Sequence, residues 1–263
     1  MHTAKEKEEQ VLHLLKEYGN VAVAYSGGVD STYLADCAHE ALGECAHIVI
    51  ADSPSLPRSE LSDATALAEA RGWNLVILPT RETEHPLYQA NTGSRCFHCK
   101  NTLFQSIKAH FNEERAMQIV YGAVEDDRSD DRPGEKAAQA HQVAAPLQEA
   151  KLFKNEIRAL SIARKLPTAQ KASFACLGSR FPTGTPIREE TLAQVEQAEE
   201  VLRSRGYHQY RVRHHANLCR IEIDPKEFNR LIMEKEMIID AIKKTGYTFV
   251  TLDLCGYSMG SSA

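Results

Sequence analysis

The 263 residues are 43% hydrophobic and 25% charged, with a formal net charge of −5, the balance of an ordinary globular protein. No run of about 18 apolar residues occurs, so no membrane-spanning helix is expected, and the absence of any block of Lys or Arg argues against a broad nucleic-acid footprint. Met1 to Gln10 is charged and has no apolar signal segment, so a cytoplasmic location is expected.

In chain order, Thr3 and Glu6 have capping-box spacing, and Val11, Leu12, Leu14, Leu15 and Tyr18 follow at helical spacing up to Gly19. Val21–Tyr25 is short, apolar and ended by Ser26-Gly27-Gly28, the pattern of a buried parallel strand. The pattern then predicts helices over 31–42, 59–71 and 99–111 and strands over 46–51, 74–78 and 118–122. This alternation predicts a doubly wound, parallel α/β sheet. Glu125 to Gly134 is polar and reads as a functional loop, and Lys154 to Lys165 as a helix. After Pro182 the texture changes to a helix over 188–205, strands Gln209–His214 and Leu218–Ile223, a long helix capped by Asp224-Pro225, and a closing strand Tyr247–Leu252. The expected domains are therefore a nucleotide domain over 1–182 and a smaller C-terminal α/β domain over 183–263.

The sharpest local signal is Ser26-Gly27-Gly28-Val29-Asp30-Ser31, set between a strand and a helix. Two glycines let the backbone approach an anion, and successive N–H groups at a helix N-terminus bind phosphate oxygens. Ser26 and Ser31 add hydroxyls, and Asp30 is a candidate for Mg²⁺ or for ordering the loop. A plain glycine turn is the competing reading; the six residues in this context outweigh it. The segment is not a Walker A loop. It resembles the PP-loop of N-type ATP pyrophosphatases, which implies ATP binding, pyrophosphate release and an adenylated intermediate. By the same resemblance Asp52, ending the second strand, falls where adenosine is held, and Gly122 to Asp127 faces the same crevice. Asp126 or Asp127 as a magnesium ligand and a solvated loop stand about even.

Seven cysteines, Cys37, Cys45, Cys96, Cys99, Cys176, Cys219 and Cys255, are an odd number for a disulfide framework. Cys96-Phe97-His98-Cys99 opens a predicted helix and has three readings: half a zinc site, a redox dithiol, or two ligands of an iron–sulfur cluster with Cys176 as the third. His98 reads as a spacer. Cys37, Cys45, Cys219 and Cys255 lie in apolar surroundings and read as small core residues.

A closer resemblance runs almost to the C-terminus. Ala172 to Gly184, around Cys176, is similar to the cysteine segment of the LarE family of sulfur transferases, which act in biosynthesis of the nickel-pincer nucleotide cofactor of lactate racemase. Asp131-Arg132-Pro133-Gly134, Leu147 to Ala150, Tyr210-Arg211-Val212-Arg213 and Thr251 to Leu254 match as well. The resemblance implies adenylation of the two carboxylates of pyridinium-3,5-biscarboxylic acid mononucleotide, with sulfur displacing AMP. In better known members the cysteine matching Cys176 gives up its own sulfur and becomes dehydroalanine. The presence of Cys96 and Cys99 resembles instead the members that carry a sulfide on a [4Fe–4S] cluster, whose donor the sequence does not identify.

On that resemblance Ser179, Arg211 and Arg213 contact the substrate, Arg180 orients the acyl group or the adenylate, and the protein is a homo-oligomer. Arg211 and Arg213 alternate along a strand and so share one face; a solvated sheet face is their plain reading. Glu199 and Glu200 read as a solvated helix face in preference to a metal contact. The acidic charge and the lack of an appended zinc ribbon argue against a tRNA thiolase of the same superfamily. The three cysteines argue against an ammonia-using synthetase, and the intact loop against a nucleotide sensor.

Overall fold

The computed structural model describes residues 3–111, 117–129, 133–172 and 175–258. In chain order its elements are α1 (Ala4–Tyr18), β1 (Val21–Tyr25), α2 (Val29–Leu42), β2 (Ala46–Asp52), α3 (Arg58–Arg71), β3 (Asn74–Pro79), α4 (Pro86–Gln89), α5 (Arg95–Phe111), β4 (Gln118–Tyr121), α6 (Pro133–Ala140), α7 (Pro146–Glu149) and α8 (Lys154–Ala163). They continue as α9 (Glu189–Arg203), β5 (Tyr210–His215), β6 (Leu218–Ile223), α10 (Phe228–Met233), α11 (Lys235–Lys243) and β7 (Phe249–Leu252). Contacts divide the chain into two compact units, Met1–Glu82 with Ser94–Phe174, and Thr83–Gly93 with Ala175–Ala263. The limit near residue 182, between a nucleotide domain and a smaller α/β domain, is a proposal.

In the first unit the sheet order is β3-β2-β1-β4, parallel throughout. Strand residues alternate between faces. Val21, Val23 and Tyr25 of β1 join Val11, Leu15, Tyr33, Ala64 and Ile157 in one cluster. Ala22 of β1 joins Val49, Phe104, Ile107, Ile119 and Ala137 in the other. Helices thus cover both faces, as the alternating pattern predicts. The Thr3 capping box forms, with the Glu6 N–H donating to Thr3 Oγ1 at 3.2 Å and the Thr3 N–H to Glu6 Oε2 at 2.7 Å. Strand order reverses between β1 and β4, so the crevice at their carboxyl ends is the place where such a sheet takes a ligand.

In the second unit β5 and β6 pair antiparallel and β6 and β7 parallel. Val212, Cys219, Ile221 and Ile223 of this sheet are buried, as are Val195, Ala198 and Leu202 of α9. The long helix expected after Asp224-Pro225 is instead two, α10 and α11, because Glu234 sits at φ −91°, ψ 1° between them. Its carboxylate accepts from Arg230 Nε at 3.1 Å and Tyr207 Oη at 3.3 Å, which holds it out of the helical path. The expected loop after β4 is a 3-10 turn over Glu125–Ser129, and a helix begins at Pro133. Asp131 and Arg132, as well as Ser173 and Phe174 of the cysteine segment, lie outside the described residues. Cys37 and Cys219 are fully buried, but Cys45 and Cys255 are exposed. Cys45 ends a 3-10 turn before β2 and Cys255 lies in a turn after β7, so a local apolar sequence did not make them core residues.

Candidate active site

The phosphate-type loop stands in the crevice of the first unit. Helix α2 starts at Val29, two residues before the predicted start, so Gly28 is its N-cap and residues 29–31 form its first turn. The N–H groups of that turn have no carbonyl of their own helix to bond, and the helix dipole adds positive potential there. Gly27 adopts φ +71°, a left-handed conformation that glycine reaches without strain. Ser31 braces the loop from inside: its Oγ accepts from the Ser26 N–H at 3.1 Å and lies 3.0 Å from Ser26 Oγ. Opposite stands Gly122, just beyond β4. A Cβ on Gly122 would come 2.9 Å from the Ser31 nitrogen. Glycine there is required for β4 to end against the helix N-terminus, and any side chain would cover the N–H groups of that turn.

These residues line a cleft of about 640 Å³, with Asp30, Lys100, Tyr121 and Lys154 among its walls. Lys154 Nζ pairs with Asp30 Oδ2. Burial pushes the Asp30 carboxyl up, and the hydrogen bond and charge of Lys154 oppose the shift. Asp30 Oδ1 is buried without a hydrogen-bond partner among the described residues, which suits a cation. Asp126 does something the sequence did not suggest: it caps α8, its Oδ2 accepting the Lys154 N–H at 2.7 Å. Asp127 Oδ2 accepts the Val124 N–H at 3.0 Å. Asp52 ends β2 half-exposed and pairs with Arg58. Lys171 donates to Gly27 O at 3.2 Å and to Glu60 Oε2 at 2.6 Å, tying the segment before Cys176 to the loop. Lys154 and Lys171 carry no motif; single lysines flanked by ordinary sequence gave nothing to find.

Cys96 and Cys99 lie in the first turns of α5, where i and i+3 share a face. Cys96 is exposed and Cys99 part-exposed. Lys100, next in sequence, places its ammonium 4.7 Å from the Tyr121 ring centroid.

Cys176 belongs to the second unit, part-exposed, as N-cap of a 3-10 turn over Leu177–Arg180. Arg180 is buried and forks onto Glu199, Nε to Oε1 at 2.9 Å and Nη2 to Oε2 at 3.1 Å. Its Nη1 donates to the Cys176 carbonyl at 3.2 Å and to Ser179 Oγ at 3.0 Å. Burial opposes its charge, but Glu199 outweighs burial and raises the Arg180 pKa. Glu199 is thus a buried partner and not the solvated residue expected, because α9 packs that side onto β5, whose Val212 N–H it accepts at 3.1 Å. Glu200 stays exposed with Arg203. Arg213 is buried on Glu222 Oε1 at 2.9 Å and donates to the Ser179 carbonyl at 2.9 Å. Arg211, on the same strand, has no carboxylate among the described residues; it rests on Tyr257.

Within either unit, among the described residues, no three His, Cys, Asp or Glu side chains gather as a metal site. Cys96 and Cys99 belong to the first unit and Cys176 to the second.

No protein-family model matches the sequence. Three known sequences are similar along most of their length. A pyridinium-3,5-bisthiocarboxylic acid mononucleotide synthase of Lactiplantibacillus plantarum is 31% identical over 263 residues, covering 99% of this chain and 95% of its own. The chain belongs to the LarE sulfur-transferase family. An uncharacterized protein of Synechocystis sp. is 37% identical over 256 residues, 97% of this chain and 96% of its own. An uncharacterized protein of Methanocaldococcus jannaschii is 30% identical over 234 residues, 89% of each. Coverage this complete extends the LarE kinship over both units, so the enzyme is a sulfur transferase on an α/β fold with a smaller second sheet. No helix among the described residues is long and apolar enough to cross a membrane.

Proposed function

We propose that this LarE-family enzyme is ATP-dependent and adenylating, and that it converts the carboxylates of pyridinium-3,5-biscarboxylic acid mononucleotide to thiocarboxylates for the nickel-pincer nucleotide cofactor. The observation that carries the adenylation is the close approach of Gly122 to the α2 N-terminus, which leaves a backbone anion site open to the cleft. The L. plantarum relative, by its name, makes the bisthiocarboxylic acid mononucleotide, and this supports the substrate.

The loop N–H groups and the α2 dipole hold the ATP phosphates. A substrate carboxylate oxygen attacks the α-phosphorus, the bridging P–O bond breaks, and pyrophosphate leaves with the electron pair into the positive potential of the loop. A sulfur nucleophile then adds to the acyl carbon, and AMP departs to leave the thiocarboxylate. Positioning of both reactants supplies much of the rate. Asp30, with its unpartnered Oδ1, fits Mg²⁺, which supplies charge neutralisation at the phosphates. Cys96, Cys99 and Cys176 are thiols outside any disulfide and at least part-exposed, and this donor chemistry fits a [4Fe–4S] cluster held by three cysteines. Such a cluster, when bound, leaves one iron open for an exogenous sulfide. The second reading uses Cys176 alone. Its thiolate takes the acyl group with loss of AMP; the Cβ–S bond then breaks with loss of the Cα proton, leaving dehydroalanine and a thiocarboxylate. The part-exposed thiol, with its carbonyl fixed by Arg180, favours it. A homo-oligomer is proposed with either reading.

Adenylation is tested by substrate-dependent exchange of label between pyrophosphate and ATP; no exchange with a competent carboxylate substrate overturns it. Iron and acid-labile sulfide after anaerobic purification separate the sulfur routes. About four irons per chain supports the cluster. No iron after reconstitution, with dehydroalanine at position 176 after one turnover, supports Cys176 as donor.

A further inference from the structure

Three arginines of the second unit differ in what holds them. Arg180 and Arg213 are each buried on a carboxylate, Glu199 and Glu222. Arg211 faces Glu222 in the β5–β6 register, yet that carboxylate is taken by Arg213 at 2.9 Å and by Arg220 at 3.0 Å. The partner of Arg211 is Tyr257: the guanidinium carbon stands 5.2 Å from the ring centroid, and Nη2 donates to Tyr257 Oη at 3.2 Å. Burial first, then the neighbouring charge of Arg180, lower the Arg211 pKa. A half-buried cation beside other cations, with a phenol in place of a carboxylate, keeps the capacity to pair with an anion.

Tyr257 is placed by a built turn. The Asp253 N–H donates to Ile221 O at 2.8 Å, and the Tyr257 N–H to Ile223 O at 2.8 Å. Between them the Cys255 N–H donates to Asp253 Oδ1 at 2.9 Å. Gly256 turns at φ +72°, and a Cβ there would meet Pro225 Cγ at 2.7 Å. The backbone, anchored at two points on β6, thus presents the phenol to Arg211.

We propose that Tyr257 is a positioning residue: stacking and one hydrogen bond fix the Arg211 guanidinium plane so that its remaining N–H groups bind the phosphate monoester of the substrate. The inference rests on the reading that Arg211 meets a substrate anion. A guanidinium has five N–H donors in a rigid fork; a phenol oxygen uses one and leaves an edge for a bidentate phosphate. Phosphate is favoured over carboxylate because the substrate carboxylates must reach the adenylating chemistry.

Calorimetry on the full chain tests this with nicotinic acid mononucleotide and nicotinic acid riboside, which share the carboxylate and differ in the phosphate. Arg211→Ala is expected to weaken the mononucleotide by about 30-fold and leave the riboside unchanged. Tyr257→Ala is expected to weaken the mononucleotide about 10-fold, and Tyr257→Phe, which keeps the stack, about 3-fold, the riboside again unchanged. Tyr257→Ala added to Arg211→Ala should cost nothing further, since the tyrosine acts through the arginine. Full mononucleotide affinity in Tyr257→Ala, with Arg211→Ala weakened, overturns the role of Tyr257 alone. Equal loss of both ligands in Arg211→Ala, or of neither, overturns the Arg211 reading beneath it. If Tyr257→Ala does not fold, Tyr257→Phe and Arg211→Lys decide: a lysine keeps the charge without the planar fork, and full affinity in both variants overturns the proposal.

Discussion

The candidate anion site of the first unit is built from backbone, whereas the second unit concentrates guanidinium side chains. At the end of β1 the donors are N–H groups of the first turn of α2, opened by Gly27 and left uncovered by Gly122. On β5 and the Cys176 turn, three arginines stand close in sequence or register, and two are already neutralised by Glu199 and Glu222. A backbone site has its donors wherever the turn forms. A side-chain site depends on which carboxylate the fold delivers to each cation, so neighbouring arginines acquire different jobs.

The sharpest break of this contrast is Gly122→Val. Its Cβ would press on the Ser31 nitrogen, and pyrophosphate exchange should fall by about 100-fold or more, the scale of losing preorganised charge stabilisation. An unchanged exchange rate would detach the cleft from the chemistry. In the second unit Glu199→Ala strands the buried Arg180 charge. Removing one partner of such a pair costs about 3–5 kcal/mol, so thermal melting should fall by about 10 °C. Arg211→Ala, with no carboxylate to strand, should cost less than about 1 kcal/mol in the same melt; equal losses would erase the distinction drawn between these arginines.

Replacing Cys96 and Cys99 by alanine should remove bound iron and repeated turnover without lowering pyrophosphate exchange. Retention of iron in the double variant would sink the three-cysteine ligand set. The smallest effect is acid sensitivity. Burial lowers the pKa of His214 and His215, whose unfolded value is about 6.5. A depressed folded pKa contributes stability that is present above that value and is lost as pH falls through the folded one. The protection factors of the β5 amides, which correct for the intrinsic slowing of exchange in acid, should therefore fall as pH drops below about 6.5, and His214→Phe should blunt the change.

The sheet of the first unit was legible because period and composition agree. Val21–Tyr25, Ala46–Asp52 and Asn74–Pro79 are apolar runs bounded by turn residues, and all three are strands. The glycine loop was legible because its chemistry is local: six consecutive residues make both the turn and the donors. The break at Glu234 was not, since it depends on Tyr207 and Arg230 reaching the same carboxylate. Nor was the burial of Glu199, whose partner Arg180 lies 19 residues earlier. Cys45 and Cys255 misled because apolar neighbours in sequence are a poor guide to burial at a turn.

The sequence by itself determined the α/β class, the strand–glycine loop–helix segment and the sulfur-transferase kinship, because periodicity, glycine placement and motif identity are written along the chain. Tertiary structure alone decided that Asp126 caps α8, that Lys154 pairs with Asp30 across the cleft, and that Arg211 rests on Tyr257 while Arg213 is spent on Glu222. The reason is physical: a polar side chain takes the partner nearest in space, and in a fold of crossovers that partner is seldom near in sequence.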